Sequence, residues 1–459
     1  MLLLVSIGSF MSFLDAPVVS IAFPAIQRSF HEASSVTTAW VLNGYFLAFA
    51  ACLVVAGKLA DRYGRRRMFL GGLGLFVLAS IACGAAPSLG VLIAARVVQG
   101  AAAAAVVPAG QGLMLAEFPA GERKTAIGAL AAFVGLATAA SPSIGGGIVE
   151  AASWRWIFYV NVFVGVAAIV WGMRLLHADA PDRETTLPDF LGALIQAVAV
   201  GFLVLGLLKH HDWGLGDART LGCFAVFVVA LPLFLLRCAN HSAPVIDLGL
   251  FRDPTVAVAN AASLVFAIGF YAVTINSVLF LTLVWHYSVL KTGLALTPGA
   301  LAGMLAGAPA GKIAERHGPR GVAIAGGAIA AAGLVMLIAM TGSVPHYVTG
   351  WLPGGIVYTA GAVIALTALI GAAVTSVAPE RFALASGVNA AIRQVGGAIG
   401  VAAVIGLVGT PTASTVLGRT HAAFVVAAVA VGLAAVVVAL LRMPAIATDP
   451  VVGAVERGT

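Results

Sequence analysis

Gly57-Lys58-Leu59-Ala60-Asp61-Arg62-Tyr63-Gly64-Arg65-Arg66-Arg67 lies between two long apolar runs, and Gly311-Lys312-Ile313-Ala314-Glu315-Arg316-His317-Gly318-Pro319-Arg320 lies between two others. A charge at the centre of a bilayer costs roughly 3 kcal/mol. A cluster this dense therefore belongs in a short aqueous loop. Its recurrence marks equivalent places in two half-molecules, so the chain reads as an internally duplicated membrane protein.

Composition agrees with the loop. Of 459 residues, 61% are hydrophobic and only 9% charged, against about 25% charged in an average soluble domain. The apolar runs, of about 20 residues each, are long enough to cross a hydrocarbon core of roughly 30 Å. The formal net charge of +7 is scattered over short loops and not gathered in a domain or tail, so no nucleic-acid partner is expected. Cys52, Cys83, Cys223 and Cys238 sit in or at the ends of apolar runs with no paired spacing and read as small core residues. The first run contains Asp15, Pro17 and Pro24, is too long for a signal sequence, and is expected to stay as a spanning helix. Its abrupt start leads us to expect a natural chain that begins earlier.

Spanning helices are expected near 2–27, 40–59, 68–86, 89–115, 125–150 and 155–176, then near 189–208 and 219–237, then near 255–284, 293–313, 320–340, 347–377, 383–408 and 420–442. The total is fourteen. The first charged loop follows spanner two, whereas its copy follows spanner ten and not eight. Two helices are thus inserted between the halves, giving a six-helix bundle over 1–176, a linker with two helices over 177–243 and a second six-helix bundle over 244–459. With the N-terminus inside, seventeen of the 25 Lys and Arg residues fall in inner segments, six in outer ones, and Arg96 and Arg393 within spanners. That asymmetry predicts both termini on the cytoplasmic side.

Charges that remain inside the spanners are candidate machinery. Asp15, near the middle of spanner one, must face a cavity or a partner. Arg96, about eight residues into spanner four, is the nearest cation expected for it. The pair is read as proton-coupling, with a fixed structural contact as the alternative. Arg393 and Gln394 in spanner thirteen, with Asn389 one turn earlier, are the comparable group of the second half. Asn43, Tyr45, Gln99 and Asn276 are weaker candidates for a substrate cavity, because single amides in spanners more often hold helices together. Glu117 ends spanner four close in topology to Arg65, Arg66 and Arg67, and is expected to contribute to an ion-paired cytoplasmic gate, with solvated surface charge as the alternative.

Spanner five carries small residues along one face, with Pro142, Gly145 and Gly146 among them, which favours close packing and a bend. Both Gly-Lys pairs are followed by Leu59 or Ile313, so no nucleotide-binding loop is formed. No metal site is expected: His210-His211-Asp212 lacks a converging fourth ligand. No nucleophile, base and orienting group stand together, so the chain is not expected to be an enzyme.

These residues together resemble the major facilitator superfamily and, within it, the fourteen-spanner drug:proton antiporters. Gly57 to Arg67 is similar to that superfamily's loop motif, and Gly311 to Arg320 to its degenerate second copy. Arg96 with Gln99-Gly100 resembles the helix-four motif, and Ser141-Pro142-Ser143-Ile144-Gly145-Gly146 the antiporter motif of helix five. Trp154-Arg155-Trp156-Ile157-Phe158 with Asn161 is similar to the opening of helix six, and Leu14-Asp15 through Ala22-Phe23-Pro24 to the helix-one motif. Pro17 and Ser141 depart from the usual Thr and Gly.

The resemblance implies an all-α major facilitator fold and export of small amphipathic compounds from the cell in exchange for protons. It implies a plasma-membrane transporter that works as a monomer, with no cofactor beyond the proton gradient. Asp61 and the basic residues after it, with Gly57, Arg62, Gly64, Arg65 and Arg66, would latch the cytoplasmic side. Asp15 would carry the protons and Arg96 would help transfer them. The alternatives are a dedicated exporter or importer of one metabolite or lipid, and a non-transporting membrane receptor on the same fold.

Overall fold

The computed structural model describes residues 2–30, 34–117, 140–176, 186–377 and 381–440. The first half contains α1 (Leu2–Ser29), α2 (Trp40–Tyr63), α3 (Arg65–Ala85), α4 (Leu89–Glu117), α5 (140–151) and α6 (Trp156–Leu175). Two further helices follow, α7 (Phe190–Trp213) and α8 (Ala218–Asn240). The second half contains α9 (Pro254–Leu279), α10 (Val289–His317), α11 (Pro319–Met340), α12 (Leu352–Thr375), α13 (Phe382–Val408) and α14 (Val416–Leu440). Among the described residues, thirteen helices are long and apolar enough to cross a membrane. The fourteenth expected spanner is α5, and most of its expected range, 125–139, lies outside the described residues.

The sequence duplication reappears in the backbone. Gly64 closes α2 with φ +100° and Gly318 closes α10 with φ +83°, a left-handed conformation that disfavours a side chain and lets the chain reverse within one residue. Each glycine is the eighth residue of its loop motif. The packing is repeated too: α2 and α3 both lie against α4, and α10 and α11 both lie against α12. Contact there is backbone to backbone. A methyl on Gly361 of α12 would sit 2.4 Å from the amide nitrogen of Ala330, and one on Gly326 of α11 would sit 2.4 Å from that of Ala365. Small residues draw helices together in this way where lipid offers no hydrophobic drive for association.

Two expected spanners are less regular than their patterns imply. After α9 the backbone takes a wider π turn over Phe280–Val284, and another, Tyr347–Trp351, precedes α12. Phe280 stacks on Trp351 with ring centroids 5.4 Å apart, and the Trp285 indole donates to the Gly342 carbonyl at 2.8 Å. Aromatic packing between the two turns holds them in register.

The inserted pair forms a hairpin. Helix α7 packs against both α2 and α13, one from each half, while α8 packs mainly against α7. Asp189 caps α7, its Oδ1 accepting from the Gly192 amide at 2.8 Å and from Arg237 Nε of α8 at 2.8 Å. Burial alone would raise the Asp189 carboxyl, but Arg237 and the Gly192 amide outweigh it and hold the group below the ordinary carboxylate range.

Two outcomes follow. Gly361→Ala should destabilise the α11–α12 contact by about 1–3 kcal/mol through overpacking, lowering the melting temperature in detergent. Gly222→Ala, where nothing lies within 4 Å, should leave it unchanged. A depressed folded-state pKa supplies stability above the unfolded value of about 4 that is lost as pH falls through the folded one. The hydrogen-exchange protection factors of α7 and α8, corrected for the intrinsic rate, should thus be flat from neutrality to about pH 5 and fall on further acidification, and Asp189→Asn should remove that acid-dependent fall.

Candidate functional site

Glycine sets the geometry of the charged centre. A methyl on Gly100 of α4 would lie 2.4 Å from the Tyr45 carbonyl oxygen, so only glycine lets α2 approach α4 this closely. One turn earlier, Arg96 reaches across and donates from Nε to the Val41 carbonyl of α2 at 2.9 Å. Its Nη1 pairs with Asp15 Oδ2 of α1 and also donates to Gln99 Oε1 at 2.6 Å. Gln99 Nε2 in turn donates to Asp15 Oδ1 at 3.2 Å and to Ser80 Oγ of α3 at 2.9 Å. Asn161 of α6 lies within hydrogen-bonding reach of the same carboxylate. Side chains of α1, α3, α4 and α6 thus join in one network around the carboxylate, with α2 supplying a backbone carbonyl to Arg96.

The centre is sealed: Asp15 is 2% exposed and Arg96 0%. An ion pair so buried holds only when its remaining polar atoms are satisfied. Arg96 Nη2 has no hydrogen-bond partner among the described residues. The guanidinium is instead covered by the Tyr45 ring, 4.4 Å from its centroid, and by Phe158 at 5.7 Å, a cation–π arrangement that stabilises a desolvated cation. The Tyr45 hydroxyl donates to the Ser12 carbonyl at 2.8 Å, and Tyr45 also lines a cavity between the two halves. It is the partition between the ion pair and that space.

The cavity has a volume of about 350 Å³, within the usual range for a small-molecule site. It lies between the halves, bounded by α1, α2 and α5 on one side and by α9, α10, α12 and α13 on the other. Its wall is aromatic and hydroxylic, with Phe270, Tyr271, Trp351 and Tyr358 beside Ser20, Thr274 and Thr359. Arg393 and Gln394 line it as well. Arg393 Nη1 donates to Asn389 Oδ1, and the Tyr271 hydroxyl donates to Gln394 Oε1 at 3.2 Å.

Other sequence candidates lie elsewhere. Gln99 belongs to the buried centre and not to the cavity wall. Asn389 is fully buried behind Arg393, donating to Asn260 and Ser263. Asn276 donates to the Thr420 carbonyl at 2.9 Å and ties α9 to α14. Asn43 is fully buried, and neither of its amide atoms has a partner among the described residues.

Helix α5 seals the halves on the side away from the charged loops. Gly145 leaves room for Val18 of α1, and a methyl on Gly146 would come within 2.8 Å of the Val289 carbonyl. Gly293 of α10 faces the Pro142 carbonyl, where a methyl would fit only 2.1 Å away. Ser143 and Thr297 share a hydroxyl hydrogen bond, and the Leu290 amide donates to Glu150 at 3.0 Å.

The loop motif acts as a clamp within the first half. Arg65 binds Asp61 at 3.0 Å and donates to the Gly112 carbonyl of α4 at 3.2 Å. Arg66 reaches the Met173 carbonyl of α6 at 3.0 Å, and Arg62 lies over the Tyr63 ring. Gly57 faces Pro108 of α4. Glu117 ends α4 exposed and makes no ion pair among the described residues. Exposed charge at a helix end is well solvated and gains little from pairing.

Sequence reasoning did not single out Ser80, Gly293, Trp351 or Tyr358. Ser80 stands alone in an apolar run, and the aromatics look like ordinary packing residues. For Gly293 the signal was weak, one glycine among 54.

The comparisons with known proteins agree with one another. A family model described as the Major Facilitator Superfamily matches residues 5–401. The Tetracenomycin C resistance and export protein of Streptomyces glaucescens is 34% identical, covering 87% of this chain and 74% of its own length. Multidrug resistance protein Stp of Mycobacterium tuberculosis is 36% identical with the same coverage. The cephamycin export protein CmcT of Amycolatopsis lactamdurans is 31% identical over 99% of this chain and 94% of its own. Among solved structures, the human organic anion transporter MFSD10 (TETRAN) has the same fold, with a TM-score of 0.66 at 11% identity over 95% of this chain and 98% of that one.

Removing one partner of a buried ion pair strands the other and costs about 3–5 kcal/mol. Arg96→Gln should therefore melt well below the unmodified protein in detergent, and the double variant Asp15→Asn/Arg96→Gln should recover part of the loss. Additive losses would mean that the two groups are energetically independent.

Proposed function

The chain belongs to the Major Facilitator Superfamily, and on that footing we propose that it exports small amphipathic compounds from the cell in exchange for protons. It is a multi-pass membrane transporter and not an enzyme. The sequence relatives named for antibiotic resistance and export support the outward direction. The observation that carries proton coupling is the buried network of Asp15, Arg96, Gln99 and Ser80, beside a cavity that Tyr45 also lines.

Two six-helix bundles rock about the central cavity and expose it to one side of the membrane at a time. In the state described, Asp15 is closed to solvent and paired. Protonation cancels its charge and with it the Coulomb attraction to Arg96, loosening α1 from α4. Release of the proton restores the pair and draws the two helices together. Because Tyr45 touches the guanidinium on one face and the cavity on the other, a substrate pressing on that ring disturbs the pair. This links the two cargoes.

The Asp61–Arg65 clamp binds the loop to α4, so that the loop moves with the first bundle, and the small-residue seam of α5 with α10 forms the contact that parts when the opposite side opens. The protein works as a monomer in the plasma membrane with both termini in the cytoplasm, and the proton gradient is its energy source, with no further cofactor.

Purified protein in proteoliposomes should accumulate aromatic dyes only when a pH gradient is imposed, and transport indifferent to that gradient would sink the coupling mechanism. Asp15→Asn should cut gradient-driven transport by about a hundredfold, the scale on which a dedicated proton-transfer group acts, in the fraction that purifies as a folded species, which should melt lower because Arg96 loses its partner. Transport that survives the substitution would place the proton elsewhere.

A further inference from the structure

The charges around the cavity do not balance, and hydrogen-bond polarity divides its wall into two kinds of site. Among the described residues, no lining side chain is acidic. Asp15 is withdrawn behind Tyr45, where Arg96 neutralises it, so the buried pair contributes no net charge. Arg393 remains. It lines the cavity, its Nη1 is held only by the neutral Asn389, and it makes no ion pair among the described residues. A guanidinium held among apolar helices without a counter-charge is costly, and a carboxylate or phenolate brought to it relieves that cost while forming a charge-assisted hydrogen bond.

The hydroxyl groups point to the rest of the ligand. Ser12, Ser20, Thr274 and Thr359 each donate to the carbonyl four residues earlier in their own helix, at 3.0, 2.9, 2.9 and 2.9 Å. Their protons are committed, so toward the cavity they offer lone pairs and accept from a donor. Tyr358 is the converse. It is 5% exposed, it lines the cavity, and its hydroxyl has no partner among the described residues. It is a buried donor without an acceptor beside the cavity. The same wall carries the aromatic side chains of Phe270, Tyr271 and Trp351.

We propose that the substrates are planar, hydroxylated aromatic acids, bound as anions with the acidic group on Arg393 and the phenolic hydroxyls donating to the serine and threonine oxygens. This rests on the transporter reading above and specifies its cargo. A cationic compound of the same shape would meet a like charge with no carboxylate to offset it, so the site selects against cations. Arg393 is then the specificity-determining residue of the second half, while Asp15 of the first half remains free for protons.

Binding to the purified full-length protein by titration calorimetry tests this with one ring system in three charge states: 1,8-dihydroxyanthraquinone-3-carboxylate, its neutral 3-hydroxymethyl analogue and its 3-(trimethylammoniomethyl) analogue. The carboxylate should bind about tenfold or more tightly than either of the others, the scale of a hydrogen bond to a charged group. Arg393→Gln should remove that advantage and leave the neutral compound within about twofold, and Arg393→Lys should keep most of it. Neutral or cationic analogues that bind as tightly as the acid to the unmodified protein would overturn the proposal, as would an Arg393→Gln variant that weakens all three alike. If Arg393→Gln does not fold, the ranking on the unmodified protein decides. Calorimetry needs no gradient, so acid-selective binding without pH-driven transport would refute the export mechanism and leave the cargo assignment standing. Gradient-driven transport of neutral or cationic dyes in preference to the acid would do the reverse.

Discussion

A permanently charged guanidinium inside a hydrocarbon slab is the constraint on which the first half is built. Arg96 cannot shed its proton, so the protein must surround it with whatever makes the charge tolerable: a carboxylate, a side-chain amide, a backbone carbonyl and two aromatic faces. Each comes from a stated helix, and Gly100 makes their convergence geometrically feasible. A centre this crowded tolerates few rearrangements. A change in the charge of Asp15 therefore acts on several helices at once, which is what a coupling device needs.

The second half repeats the architecture but not the chemistry. Arg393 also sits deep in a spanning helix, yet the amides of Asn389 and Asn260 and the hydroxyl of Ser263 behind it are neutral, and its guanidinium borders the open cavity. One arginine is closed off with its counter-ion and the other is left facing space. The duplication has thus supplied two similar scaffolds, on which a proton site and an anion site can be tuned separately.

Much of this was legible in the sequence because charge is rare in it. With 9% charged residues, each charge within an apolar run had few available roles, and the pairing of Asp15 with Arg96 followed from depth alone. The helix order was equally plain, since apolar length is what a bilayer selects. Less could be read where the residue type carries no contrast. Trp351 and Tyr358 resemble packing residues until the helices are placed, and Asn276 proved to tie α9 to α14. The π turns beside Phe280 and Trp351 leave no mark in periodicity, because the aromatics that hold them would pack equally well on an unbroken helix. Where the inserted helices dock was also hidden, for a face against lipid and a face against protein are written in the same residues.

That docking makes the molecule lopsided in the plane of the membrane. Helix α7 lies along α2 and α13 and roofs the junction of the two halves on one flank. The flank formed by α10 instead presents Leu294, Leu301 and Leu305 outward. A compound diffusing within the lipid leaflet therefore meets a shuttered side and a bare one. The asymmetry is set by a hairpin that, among the described residues, contributes nothing to the cavity wall.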